Sequence, residues 1–185
     1  FCPTAYFGVE PSPYMLTLGE KLDLAVDVFW TGPQVVSPSV TAAHARALGK
    51  TLRRKPLLWD NYPVNDYNRS ALNIGPLRGR DPKLAGLLAG YYSNPMNEAE
   101  ASRIPLTAIS DWLRDPAGYE PEKAFRDAVR TTCGAAAFKP MKALAEYCGA
   151  DVLEGQPRPA PDELLNGILA GGPPAKLLRE MKRFE

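Results

Sequence analysis

A repeated pattern constrains this chain most: four short apolar segments, each closed by a polar or aromatic cluster. They are Phe1–Phe7 (FCPTAYF), Leu24–Trp30 (LAVDVFW, then Thr31-Gly32-Pro33), Pro56–Trp59 (PLLW, then Asp60-Asn61-Tyr62-Pro63) and Leu87–Tyr92 (LLAGYY, then Ser93-Asn94-Pro95). Their ends at Tyr6, Trp30, Trp59 and Tyr92 lie about 24, 29 and 33 residues apart, which is the length of a strand plus a crossover to a parallel neighbour. The intervening segments suit helices. Tyr14–Leu22 places Met15, Leu18 and Leu22 on one face, and Thr41–Leu52 is Ala-rich with Thr41 placed as its N-cap. Asn65–Asp81 is less regular and reads as a long loop. Strand and helix alternating with right-handed crossovers imply an α/β fold with a parallel sheet. Polar clusters at successive strand ends fit a (β/α)8 TIM barrel, of which four strands are half. An open doubly wound sheet is the alternative, weakened by the lack of a GxGxxG after any strand.

Beyond Asn94 the character turns helical. Helices are expected over Asn97–Leu113, where Pro105 predicts a kink or break, over Glu122–Thr132, and over Ala135–Tyr147 with Pro140 near its first turns. A Pro-rich linker, Gln156–Pro161, separates these from two further helical stretches, Asp162–Ala170 and Ala175–Phe184. The resulting division is residues 1–130 as the second half of a barrel and residues 131–185 as the start of a C-terminal helical domain. Leu164, Leu165, Leu177, Leu178 and Met181 form apolar stripes suited to intramolecular packing or to a homodimer.

Composition removes several function classes. With 22 Lys+Arg against 21 Asp+Glu in 185 residues, there is no bulk attraction to nucleic acid or to an anionic membrane. No apolar run approaches the roughly 18–20 residues of a membrane span. Three cysteines (Cys2, Cys133, Cys148) and one histidine (His44) form neither a zinc ligand set nor a His-based triad. The thiols are expected to be buried or partly buried, with a Cys133–Cys148 bridge as the lesser alternative. The chain begins at Phe1, inside a strand-like segment and without an initiator Met, so the expectation is a piece of a longer protein, and the compartment stays open.

The densest chemical cluster is Trp59–Asp66 (WDNYPVND). Strand alternation puts Trp59 and Asn61 on one face and Asp60 on the other. An aromatic plane beside an amide and a carboxylate suits a sugar, although a core Trp followed by turn-forming Asn and Asp has the same spacing. Thr31 as a hydrogen-bonding wall residue, Tyr6 as a phenol at a strand end and Asn94 as a side-chain amide each have an equally plain structural reading. At four equivalent strand ends they converge on an aromatic-lined pocket for a small neutral polyol. No pair of neighbouring acids lies at a strand end, so two-carboxylate glycoside cleavage is not complete in these residues.

At these same clusters the sequence resembles the family 84 glycoside hydrolases, β-N-acetylglucosaminidases that include the protein O-GlcNAcases and hyaluronidase-like relatives. The matching blocks are CPTAY (Cys2–Tyr6), WTGPQVVS (Trp30–Ser37), WDNYPVND (Trp59–Asp66), NIGPLRGR (Asn73–Arg80) and NPMNEAEASRIPL (Asn94–Leu106). The resemblance implies the second half of a catalytic barrel and a retaining, substrate-assisted mechanism, in which the sugar's own acetamide oxygen attacks the anomeric carbon to give an oxazoline. It implies no metal or organic cofactor, and a partner that is an N-acetylglucosamine-containing glycan or glycoprotein. The family's consecutive aspartates, one orienting the acetamide and one acting as acid and base, have no counterpart here, since the sequence holds no Asp-Asp. No catalytic residue is therefore assigned to this segment, which should be inactive without the missing N-terminal half of the barrel.

Seven residues carry over as substrate-binding. Tyr6 matches the tyrosine that binds the acetamide oxygen. Thr31, Val35 and Trp59 match the acetamide pocket, and Asn61 the asparagine near the anomeric centre. Asp66 matches the aspartate on the 4- and 6-hydroxyls, with Asn94 beside it. Ala5 departs from the glutamate common in relatives, a change that alternation turns away from Tyr6. A non-catalytic glycan-binding barrel and a purely structural α/β domain remain the alternative functions.

Overall fold

The computed structural model describes residues 1–68 and 72–154. The expected linker Gln156–Pro161, the helices at Asp162–Ala170 and Ala175–Phe184, and the Leu164, Leu165, Leu177, Leu178 and Met181 stripes lie outside the described residues. The chain divides into two compact units, one of Phe1–Tyr62, Arg78–Asn94 and Asp115–Ala117, the other of Pro63–Leu77, Pro95–Arg114 and the chain from Gly118 on.

The first unit is built on a parallel sheet of β1 (Phe29–Trp30), β2 (Leu57–Asp60) and β3 (Gly90–Ser93), in sequential order β1-β2-β3. Register pairs Trp30 with Leu58, Leu58 with Tyr91, and Trp59 with Tyr92. The α/β class with parallel strands is as the spacing implies, and strands in sequence order with connections that include α2 are those of successive units in a (β/α)8 barrel. Alternation sorts the faces. Trp30, Leu58 and Asp60 are at most 1% exposed, whereas Phe29, Trp59 and Tyr92 occupy the opposite, more open face.

Three of the four expected strands are shorter or absent, Leu87–Tyr92 beginning only at Gly90. Leu24–Trp30 contracts to Phe29–Trp30, and Leu24 is exposed. The first segment is not a strand, because Pro3 has no N–H to give a ladder and the chain bends at Thr4 and Ala5. It still runs beside β1: the Phe1 carbonyl accepts from Phe29 N–H at 2.9 Å and the Tyr6 carbonyl from Thr31 N–H at 2.8 Å.

Two helices complete this unit, α1 (Pro13–Lys21) and α2 (Ala42–Leu52). Ser12 caps α1 by accepting from Met15 N–H, with Pro13 at the first helical position. Thr41 caps α2 as expected, and the His44 side chain accepts from the Thr41 N–H to close a capping box. The helices touch closely at Gly19, where a Cβ would meet the backbone of Thr51 and Leu52. Ala45, Leu48 and Leu52 are the buried stripe of α2.

The second unit contains α3 (Ala99–Arg114), α4 (Pro121–Cys133) and α5 (Phe138–Glu154). Its core gathers Leu72, Ile74, Met96, Ile104, Phe125, Val129, Met141 and Leu144. Pro105 does not break α3; it sits buried inside an uninterrupted helix. The packing of α3 on α4 overrides its local penalty. Pro140 falls in the first turn of α5, where a missing N–H costs least. No disulfide joins Cys2, Cys133 and Cys148; the last two are buried as expected, whereas Cys2 is exposed.

Candidate functional site

The candidate site forms at the C-terminal ends of the three strands, where a parallel sheet presents its loops. Thr31 follows β1, Asn61 follows β2 and Asn94 follows β3. Asn94 N–H donates to the Asp60 carbonyl at 2.9 Å, so the pairing of β2 and β3 continues to the site itself.

Asn61 is the hub. Its Oδ1 accepts from Trp59 Nε1–H at 3.0 Å and from Asn94 Nδ2–H at 3.0 Å, while its own Nδ2 donates to the Val35 carbonyl at 2.7 Å. An indole N–H only donates and a carbonyl only accepts, so these partners fix which way the amide faces. Both acceptor positions of Asn61 are then used, and one N–H remains for a ligand. Asn94, having spent one N–H, keeps its oxygen as an acceptor. The pair offers a donor and an acceptor side by side, a match for a sugar hydroxyl or an amide.

Trp59, 37% exposed, is an open indole face rather than a core residue. It is held edge-on to Phe29 with ring centroids 5.4 Å apart, and Tyr92 meets Phe29 the same way at 5.5 Å. Val35 is also exposed, leaving an aliphatic and an aromatic surface around the Asn61 amide.

The loop after β1 is braced internally. The Thr31 hydroxyl donates to the Gln34 carbonyl at 2.9 Å, and the buried Ser37 hydroxyl lies 3.1 Å from the Thr31 carbonyl and 3.0 Å from the Gln34 N–H. Thr31 is itself buried, with its hydroxyl committed to the Gln34 carbonyl. Tyr6 lies beside this loop through its carbonyl, and its ring packs edge-on against Phe7. Asp66 belongs to the second unit, where it is an exposed loop acid. Its neighbour Asn65 is buried and donates to Glu98 Oε2 at 3.0 Å.

Beneath the site is a cluster that sequence reasoning passed over. Asp60 turns away from Asn61, as alternation requires, and meets Arg80 in a two-pronged ion pair: Arg80 Nε to Oδ2 at 2.7 Å and Nη2 to Oδ1 at 2.6 Å. The Tyr91 hydroxyl donates to the same Oδ2 at 2.6 Å. Burial works against the charge of Arg80, but its bond and proximity to Asp60 outweigh this and hold the guanidinium above its ordinary value. Burial, reinforced by the Asp60 charge, pushes the Tyr91 phenol far above the usual tyrosine range, so it is a neutral donor. The only sequence signal was an acid on the core-facing side of a strand, which demands a buried cation.

Comparison with known proteins follows the same residues. Residues 1–146 match the family described as beta-N-acetylglucosaminidase. The protein O-GlcNAcases of Rattus norvegicus and Mus musculus are each 38% identical over 120 residues, 62% of this chain and 13% of theirs. Among solved structures, a mutant O-GlcNAc hydrolase of Thermobaculum terrenum superposes with a TM-score of 0.78 at 34% identity, over 99% of this chain and 40% of that one. The chain thus spans well under half the length of the relatives it matches.

Proposed function

The chain belongs to the beta-N-acetylglucosaminidase family, and from that premise we propose that it supplies the sugar- and acetamide-binding side of a glycoside hydrolase that removes N-acetylglucosamine from proteins or glycans. The observation that carries this is the Trp59–Asn61–Val35–Asn94 network, in which an open indole, an aliphatic surface and a fixed amide donor converge at three strand ends. The indole packs the sugar or acetamide face, Val35 and the Thr31 methyl wall a methyl-sized slot, and Asn61 donates its remaining N–H near the anomeric centre. Tyr6 binds the acetamide oxygen, and the family resemblance assigns the 4- and 6-hydroxyls to Asp66 through charge-assisted bonds.

Hydrolysis proceeds with retention through an oxazoline formed by the substrate's own acetamide, which removes the need for a carboxylate nucleophile. The acid pair that orients the acetamide and shuttles the proton comes from another part of the barrel, since this sequence contains no Asp-Asp. On this reading residues 1–130 supply half of that barrel. The relatives support this reading because the chain corresponds to 40% of the Thermobaculum hydrolase.

The test is kinetics of the full-length protein on an aryl N-acetylglucosaminide. Asp66→Ala is expected to lower kcat/KM by about 2–4 kcal/mol of transition-state stabilisation. Unchanged kinetics would overturn the assignment of the pocket. N-acetylglucosamine binding without turnover would establish a glycan-binding barrel in place of the enzyme.

A further inference from the structure

We propose that Asp60 is a positioning residue for the sugar-binding edge: clamped from below by Arg80 and Tyr91, it fixes the adjoining Asn61 amide and the loop that ends at Pro38. The inference rests on the reading above that Asn61 and Val35 face the sugar. Asp60 and Asn61 are consecutive, so their side chains leave the backbone in opposite directions. Any rotation of the chain at Asp60 swings the Asn61 amide. What opposes rotation is a fork-to-fork ion pair, which constrains orientation as well as distance. The Arg80 side chain is 5% exposed and that of Asp60 1%, so the pair is dry and water does not replace it.

Arg80 also reaches the loop after β1. Its Nη1 donates to the Pro38 carbonyl at 3.2 Å and to the Arg78 carbonyl at 2.9 Å. The backbone around it is laced to the same loop's exit, with Val40 N–H donating to the Gly79 carbonyl at 2.8 Å and Asp81 N–H to the Val40 carbonyl at 3.1 Å. The loop carrying Val35 is therefore held at three points: at Val35 by Asn61, at Pro38 by the cation that holds Asp60, and at Val40 by the backbone of Gly79 and Asp81. Tyr91 brings in β3, one residue before Tyr92 and three before Asn94. One carboxylate thus ties together all three strand ends that carry the candidate pocket.

A merely structural ion pair and a positioning one differ in coupling. The experiment is a double-mutant cycle in the full-length protein, Asp60→Asn against Asn61→Ala, read as kcat/KM on an aryl N-acetylglucosaminide, with thermal unfolding followed in parallel. Asp60→Asn is expected to lower kcat/KM on the order of 10–100-fold through displacement of the pocket wall. In the Asn61→Ala background it should cost much less, because the group it positions is gone. Additive losses, or no loss from Asp60→Asn, would overturn the proposal. If Asn61→Ala alone leaves kcat/KM unchanged, the pocket assignment fails first, and the two failures are told apart. Should Asp60→Asn not fold, Tyr91→Phe removes one hydroxyl and keeps the ion pair. Its expected loss is about fivefold, again smaller when Asn61 is alanine, and additive losses there overturn the proposal too.

Discussion

The indole N–H of Trp59 donates to the Oδ1 of Asn61 at 3.0 Å, two residues along the same strand end. The aromatic plane and the amide of the candidate pocket are therefore one rigid unit. Alternation places both side chains on one face, and the bond then removes the freedom of each to rotate alone.

Asn61→Asp tests that unit without changing its shape. The substitution replaces the N–H aimed at the Val35 carbonyl, 2.7 Å away, with a carboxylate oxygen. Two acceptors then face each other, and the loop must move. The expected result is a loss of about 1–2 kcal/mol in stability by chemical denaturation, together with weakened binding of N-acetylglucosamine in the full-length protein. Retention of wild-type stability would show that the Val35 contact contributes little.

Gly79→Ala probes the support beneath the loop. Gly79 has φ of 70°, and a Cβ there would meet the Pro38 carbonyl oxygen, which is backbone and has little room to yield. Strain and clash together should cost about 2–3 kcal/mol. The measurement is the midpoint of denaturant unfolding. Gly86→Ala is the control, since nothing lies within 4 Å of its added Cβ.

Asp81 gives a pH signature. Its Oδ2 accepts from Ala42 N–H at 3.0 Å and its Oδ1 from Lys83 N–H at 2.9 Å, so one carboxylate serves the start of α2 and of the short 3-10 turn Pro82–Gly86. Those two backbone donors hold its carboxyl below the ordinary value. A depressed folded value means the contribution is present above the unfolded carboxylate pKa and disappears as pH falls through the folded one. Asp81→Asn is therefore expected to lose about 1 kcal/mol at neutral pH, with the gap to wild type closing in acid. A gap independent of pH would assign the effect to something other than charge.

The sequence made the parallel sheet legible because strand-end residues recur at crossover spacing, and it made Trp59 and Asn61 neighbours because period-two geometry is strict. It made the α2 cap legible because Thr41 precedes an Ala-rich amphipathic stretch. It hid the loss of the first strand, since Phe1–Phe7 is apolar enough for a strand and only Pro3 hints otherwise. Of the kink or break that Pro105 predicts, the break does not occur, because packing of α3 on α4 keeps the helix whole. Of the Asp60–Arg80–Tyr91 cluster only the acid itself left a trace in the strand pattern, because its partners lie 20 and 31 residues away. No local pattern announces which arginine will find a buried acid.

Cys133 closes the set with a prediction about alkaline pH. Burial pushes its thiol from the ordinary 9.0 up to about 11, and it sits in the core of the second unit with Phe125 and Val129. The thiolate is the reactive form, so at pH 8 only about one molecule in a thousand carries it there. In the native chain an aromatic disulfide reagent should label exposed Cys2 rapidly, and Cys133 only on unfolding. The same shift has a stability consequence. Above pH 9 the unfolded thiol loses its proton while the folded one keeps it, so the contribution of Cys133 is intact below 9.0 and drains away as pH rises toward about 11. Cys133→Ala should lower stability at neutral pH through the lost sulfur packing, yet flatten its decline between those two values. An equally steep decline in the variant would move the alkaline sensitivity to another group.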